Sequence, residues 1–140
     1  MGASEMEQLL INLLQNSVDA TNSDGHITIE SRVHERELRV TITDTGCGIP
    51  YEVLNRIFDP FFTTKTVGYG TGLGLSVCHD IVRRAGGSIE VQSAPGQGTR
   101  VTIALPLRGI APQEPRSIKA CPLGEERNRP AKSQTEGETP

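Results

Sequence analysis

Two pairs of alternating apolar segments, each pair joined by a short polar turn, limit the kind of sheet this chain can build. Ile27, Ile29, Ser31 and Val33 share one side of an extended segment. Leu38, Val40 and Ile42 resume the alternation after the polar run 34–37. Ser88 to Ala94 and Thr99 to Leu105 repeat the arrangement across Pro95-Gly96-Gln97-Gly98. Hairpins make antiparallel neighbours, and this speaks against a doubly wound parallel sheet. Helices stand between and before the hairpins. Leu9, Leu10, Leu13, Leu14 and Val18 give an apolar helical face out to about Thr21, and Ser4 with Glu7 has the form of a capping box at its start. Pro50 suits the first turn of a short helix holding Val53, Leu54 and Ile57. Val77, Ile81 and Ala85 line a third helix from about Leu73 to Ala85, closed by Gly86-Gly87. The expected fold class is therefore α+β, a two-layer sandwich of a mixed, mostly antiparallel sheet packed against about three helices.

Apolar residues form 35% of the 140-residue chain, below the globular average of about 45–50%, which also counts glycine. The deficit lies in residues 108–140, which hold five of the nine prolines and no aromatic residue and show no apolar period. This segment reads as a disordered tail, leaving one domain at 4–107. A net charge of −3 with scattered Lys and Arg offers no basic stripe to nucleic acid. No apolar run approaches the roughly 20 residues that cross a bilayer, so no membrane contact by this segment and a cytoplasmic location are expected. Cys47, Cys78 and Cys121 are odd in number and far apart, as free thiols are.

Three signals carry chemistry. Gly68, Gly70, Gly72 and Gly74 alternate before a helix, placing bare backbone N–H groups at the positive end of a helix dipole, a setting for phosphate. The run lacks a Gly-Lys-Ser/Thr ending, so it is not a P-loop, and a hinge would satisfy the same pattern. Gln8, Asn12, Asn16 and Asp19 form a polar stripe on the first helix. An Asn carbonyl is a hard oxygen suited to Mg²⁺, although a solvated helix face has the same look. Asp44 ends a strand and precedes Gly46 and Gly48; a carboxylate there accepts only, pairing with an exocyclic amine and repelling a carbonyl, while a turn-forming Asp is the plainer alternative. All five aromatic residues fall between positions 51 and 69, which reads as one local cluster.

In order and spacing these segments resemble the boxes of sensor histidine kinases. Asn12-Leu13-Leu14-Gln15-Asn16-Ser17-Val18-Asp19-Ala20 is similar to the N box and Asp44-Thr45-Gly46-Cys47-Gly48-Ile49 to the first glycine box. Phe58-Asp59-Pro60-Phe61-Phe62-Thr63-Thr64-Lys65 resembles the F box, Gly70-Thr71-Gly72-Leu73-Gly74-Leu75 the second glycine box, and Gly96-Gln97-Gly98-Thr99 the last. The resemblance covers essentially everything but the tail. It implies the Bergerat ATP-binding fold, ATP and Mg²⁺ as cofactors, and transfer of the γ-phosphoryl to a histidine on a separate dimerisation domain, with a response regulator downstream. It further implies Asn16 as the metal ligand, Asn12 near the phosphates, and Asp44 on the adenine amine with Thr99 helping through water. Gly46 and Gly48 would let backbone approach the base, Gly70, Gly72, Leu73 and Gly74 would form the lid hinge and phosphate contacts, and Lys65 would be the lid cation.

Relatives that hydrolyse ATP, such as gyrase and MutL-like proteins, carry a Glu one helical turn before the metal-binding Asn. Here Asn12 stands there, and an amide is no general base at neutral pH, so transfer rather than hydrolysis is expected. Some members also carry a cation three or four residues after that Asn. This chain has Asp19-Ala20, leaving phosphate charge to Mg²⁺, Lys65 and the partner. His26, His34 and His79 have no phosphoacceptor context. The chain starts almost at the N box, so the strand and helix pair that precede it in the family are expected to be missing, as in a fragment or a short protein acting in trans. The competing readings are an ATP-responsive binding switch without catalysis and a protein serine kinase of the same fold.

Overall fold

The computed structural model describes residues 1–66, 70–107 and 119–122. Helix α1 (Ala3–Ala20) leads into the hairpin of β1 (Ile27–His34) and β2 (Glu37–Asp44); α2 (Gly74–Arg84) precedes the hairpin of β3 (Ser88–Ser93) and β4 (Thr99–Pro106). The strand order is β1-β2-β4-β3, all antiparallel, and β5 (Lys119–Pro122) adds to β3 in parallel. The sheet is thus mixed and mostly antiparallel. The strand β5 falls inside the segment read as a disordered tail; the rest of that segment lies outside the described residues.

The central pairing joins the two hairpins. Register sets Ile42 opposite Val101 and Val40 opposite Ile103, with Asp44 facing Thr99 at the end of the ladder. One face of this sheet meets Leu9 and Leu13 of α1 and Cys78, Ile81 and Val82 of α2, all buried beside Ile42, Ile89, Val91 and Ile103. The alternation of the sequence therefore becomes the inward face of the sheet. β1 behaves differently: Ile29 and Val33 lie on the same face as their partners Ile42 and Leu38 but are exposed, because the hairpin's outer strand extends past the helical layer. Ile103→Val, at the centre of β4, should cost about 0.5–1.5 kcal/mol of stability, measured as a lower urea midpoint at unchanged slope.

Two local expectations are corrected. The first helix starts at Ala3 with Gly2 as its cap residue, and the Gly2 N–H donates to Glu5 Oε2 at 3.0 Å. Glu5 rather than Glu7 reaches back, since Ser4 already lies in the first turn. The expected middle helix is a single 3₁₀ turn at Leu54–Arg56, with Val53 N–H to Pro50 O, Arg56 to Val53 and Asp59 to Arg56 at three-residue spacing. Asp59 precedes Pro60, which disfavours helical backbone at Asp59 and stops the segment. Leu54 and Ile57 still reach the core. Two α-helices and this turn occupy the helical layer among the described residues.

Candidate active site

A cleft of about 540 Å³ opens between α1, the loop after β2, the segment 62–65 and the start of α2. Burying Leu9, Leu13 and Ser17 turns the neighbouring face of α1, with Asn12, Gln15, Asn16 and Asp19, toward this cleft. Gln8, the first member of the stripe, is exposed and does not line it. The Asn12 Nδ2 donates to the Gly74 carbonyl at 3.5 Å, tying α1 to the first residue of α2. Asn16 lines the cleft beside Gly74 with no hydrogen-bond partner among the described residues. Its amide oxygen is available to a ligand.

Asp44 is 5% exposed. Its Oδ1 accepts the Gly46 N–H at 2.9 Å and the Thr99 N–H at 3.1 Å. Oδ2 has no donor among the described residues, although the side chain lines the cleft. Two backbone donors thus orient the carboxylate while leaving one oxygen for a ligand's N–H group. The nearby glycines serve protein packing. Gly48 is left-handed (φ 70°), and a Cβ there would lie 1.9 Å from the Ala94 carbonyl oxygen. Gly46 packs against the Ala20 carbonyl and does not line the cleft; Leu73 is also off its wall. Gly48, Gly70, Gly72, Gly74, Lys65 and Thr99 do line it.

Ser93 was not singled out from the sequence, yet it organises the Asp44 end of the cleft. Its hydroxyl donates to the Gly98 carbonyl at 2.8 Å and accepts the Ile49 N–H at 2.8 Å. The Ser93 proton is thereby used, so in the 2.9 Å contact with Thr99 the Thr99 hydroxyl is the donor. Thr99 then offers acceptor lone pairs to the cleft. The signal for Ser93 was a hydroxyl at an inward position of the Ile89, Val91, Ser93 alternation.

The segment 61–66 is anchored at two points. The Phe61 N–H donates to the Gly72 carbonyl at 3.0 Å, and both residues are left-handed, at φ 66° and 67°. A Cβ on Gly72 would lie 2.4 Å from the Phe61 carbonyl carbon, so this crossing requires glycine. At the other end Lys65 Nζ pairs with Asp19 Oδ2, while Gln15 Nε2 donates to Asp19 Oδ1 at 2.7 Å. Lys65 first, and Gln15 second, hold the Asp19 carboxyl below its ordinary range. Residues 67–69, including Gly68 and Tyr69 of the expected glycine run and aromatic patch, lie outside the described residues.

The described aromatic residues do not form one cluster. Phe58 packs on the core and against the His79 ring at a centroid separation of 5.7 Å, and Phe62 lies under the Arg56 guanidinium at 4.6 Å. Phe61 is 74% exposed, and Tyr51 is exposed as well. Cys47 and Cys78 are free thiols; burial pushes the Cys78 thiol up to about 12, which makes it inert. The Cys121 side chain lies outside the described residues. No described helix is long and apolar enough to cross a membrane.

A mostly antiparallel sheet with helices on one face, and a cleft between helix and sheet lined by amides, a half-satisfied carboxylate and a glycine-rich helix start, define a nucleotide-binding α/β sandwich. Residues 2–109 match the family described as histidine kinase-, DNA gyrase B- and HSP90-like ATPase. The chain is 43% identical over 117 residues to the sensor kinase CckA of Brucella abortus (strain 2308), covering 73% of this chain and 12% of the relative. It is 40% identical over 102 residues to the sensor histidine kinase ZraS of Escherichia coli (strain K12), covering 73% of this chain and 22% of that protein. Among solved structures, the catalytic domain of histidine kinase ThkA matches at 39% identity and a TM-score of 0.65, covering 74% of this chain and 66% of that one. The mycobacterial sensor histidine kinase MprB matches at 26% identity and a TM-score of 0.69, covering 79% and 77%. The chain belongs to the histidine kinase-, DNA gyrase B- and HSP90-like ATPase family and corresponds to the ATP-binding catalytic domain of sensor histidine kinases. It spans only a small part of the length of these curated relatives.

Proposed function

We propose that this domain binds ATP with Mg²⁺ and presents the γ-phosphoryl to a histidine on a separate dimerisation domain, from which it passes to a response regulator. The observation that carries this reading is the Asp44 carboxylate, whose Oδ1 is held by two backbone N–H groups while Oδ2 is left for the cleft. Oδ2 would accept the adenine exocyclic amine. The acceptor face of Thr99 would meet a water on the same base, behind the Ser93 support. The residues present also fit a magnesium nucleotide: the unpartnered Asn16 amide supplies a hard oxygen beside the glycine-rich start of α2. Bound Mg²⁺ would supply charge neutralisation between phosphate oxygens. Lys65 and the backbone of Gly70, Gly72 and Gly74 would add to it at the lid.

Catalysis in this arrangement is positioning plus charge stabilisation. Asn12 is engaged with the Gly74 carbonyl and has no basic group, so it does not activate water. The accepting imidazole would come from the partner, and the domain would act on the cytoplasmic side. Calorimetric titration with ATP and GTP in Mg²⁺, then addition of a cognate dimerisation fragment with radiolabelled ATP, tests the whole reading. ATP-selective binding with label on an acid-labile, base-stable site of the fragment is expected. Selective binding without transfer would leave an ATP-responsive switch, and a base-labile, acid-stable label would indicate a serine kinase.

A further inference from the structure

Lys65 and Asp19 stand 46 residues apart in sequence and meet across the phosphate end of the cleft. Asp19 follows Asn16 by three residues, nearly one helical turn, so both side chains serve the same side of α1. Both Asp19 oxygens are occupied, Oδ2 by Lys65 and Oδ1 by Gln15. The carboxylate thus holds the Lys65 ammonium against α1. The pair is not sealed: the Lys65 and Asp19 side chains are 34% and 32% exposed. An ion pair so exposed is weak enough to exchange for a stronger anion. A terminal phosphate, with more charge than one carboxylate and placed beside Asn16, would be such an anion, and it would also repel the Asp19 charge.

Resting on the proposed ATP site, we propose that Asp19 is a specificity-determining positioning residue that parks Lys65 and yields it only to a terminal γ-phosphate. With ADP in the cleft, Lys65 stays on Asp19 and remains docked on α1. With ATP, the ammonium leaves the carboxylate for the γ-phosphate, so the position of Lys65 distinguishes the two nucleotides. After phosphoryl transfer, Lys65 returns to Asp19.

Titrations of the native chain, Asp19→Asn, Asp19→Glu, Lys65→Met and the Asp19→Asn/Lys65→Met double variant with ATP and ADP in Mg²⁺ test this exchange. Asp19→Asn should tighten ATP by about two- to five-fold, the range of an exposed ion pair, and leave ADP unchanged. Asp19→Glu, which keeps a carboxylate, should retain the native ratio. In the Lys65→Met background, Asp19→Asn should favour ATP over ADP by less than it does in the native background, since only the charge repulsion remains to be relieved. Equal tightening of both nucleotides, or an unchanged ATP gain without Lys65, would mean that Asp19 acts only as bulk charge and would overturn the proposal. A nucleotide-free readout separates the pairing from the binding site: tryptic cutting after Lys65 should be faster in Asp19→Asn than in the native chain or Asp19→Glu. Equal cutting rates would show that no latch holds Lys65. Faster cutting in a chain that binds neither nucleotide would establish the pairing but refute the ATP site and the exchange built on it.

Discussion

Asp44→Asn is expected to raise the dissociation constant for ATP by about 10- to 100-fold, or ~1.4–2.8 kcal/mol, while the fold survives. The substitution is nearly isosteric. An Asn oxygen can still accept the Gly46 and Thr99 N–H groups that now bond Oδ1. That constraint sends the Asn Nδ2 into the position of Oδ2, so a donor faces the adenine amine, itself a donor. The penalty combines a lost hydrogen bond with a mismatch in a buried corner. A guanine carbonyl would meet the same Nδ2 favourably, so the ATP-to-GTP affinity ratio should fall as well. Calorimetry with both nucleotides measures the effect, and unchanged ATP affinity would sink the assignment of Asp44 to the base.

Asn16→Ala should lower the phosphotransfer rate by about 10²- to 10³-fold, the scale found when one preorganised electrostatic group is removed from an active site. The Mg²⁺ dependence of ATP binding should disappear with it. Stability is the internal control. Asn16 has no hydrogen-bond partner among the described residues to orphan, and alanine in the body of α1 is favoured over asparagine by up to roughly 0.7 kcal/mol, so thermal unfolding should not fall. A loss of transfer with an unchanged melting temperature assigns Asn16 to the reaction. Mg²⁺-dependent ATP binding that survives the alanine would exclude it as the metal ligand.

Much of the architecture was legible because its signals are local. The spacing of Leu9 and Leu13 sets which face of α1 is buried, although Val18, read onto that face, is exposed and Ser17 is buried in its place, and the same helical period turns Asn12 and Asn16 together into the cleft. Alternation along Ile89, Val91 and along Val101, Ile103 sets the inward face of β3 and β4. Asp44 was readable as the end of a strand because the alternation stops there at a carboxylate before Gly46. The 3₁₀ turn was harder, since Val53, Leu54 and Ile57 suit either helix type and Pro60 decides through the backbone of Asp59.

The sequence by itself determined the periodic faces, the hairpins and the order of the amide, carboxylate and glycine segments, because each depends on the geometry of a few consecutive residues. Only the tertiary structure decided that Asp44 Oδ1 is occupied while Oδ2 has no donor among the described residues, that Ser93 joins Ile49, Gly98 and Thr99, and that Phe61 crosses Gly72. It also turned Asp19 from one member of a polar stripe into the partner of Lys65. These pairings depend on the β2–β4 register and on how α1, α2 and the segment 61–66 converge, and such long-range geometry leaves no period in the chain.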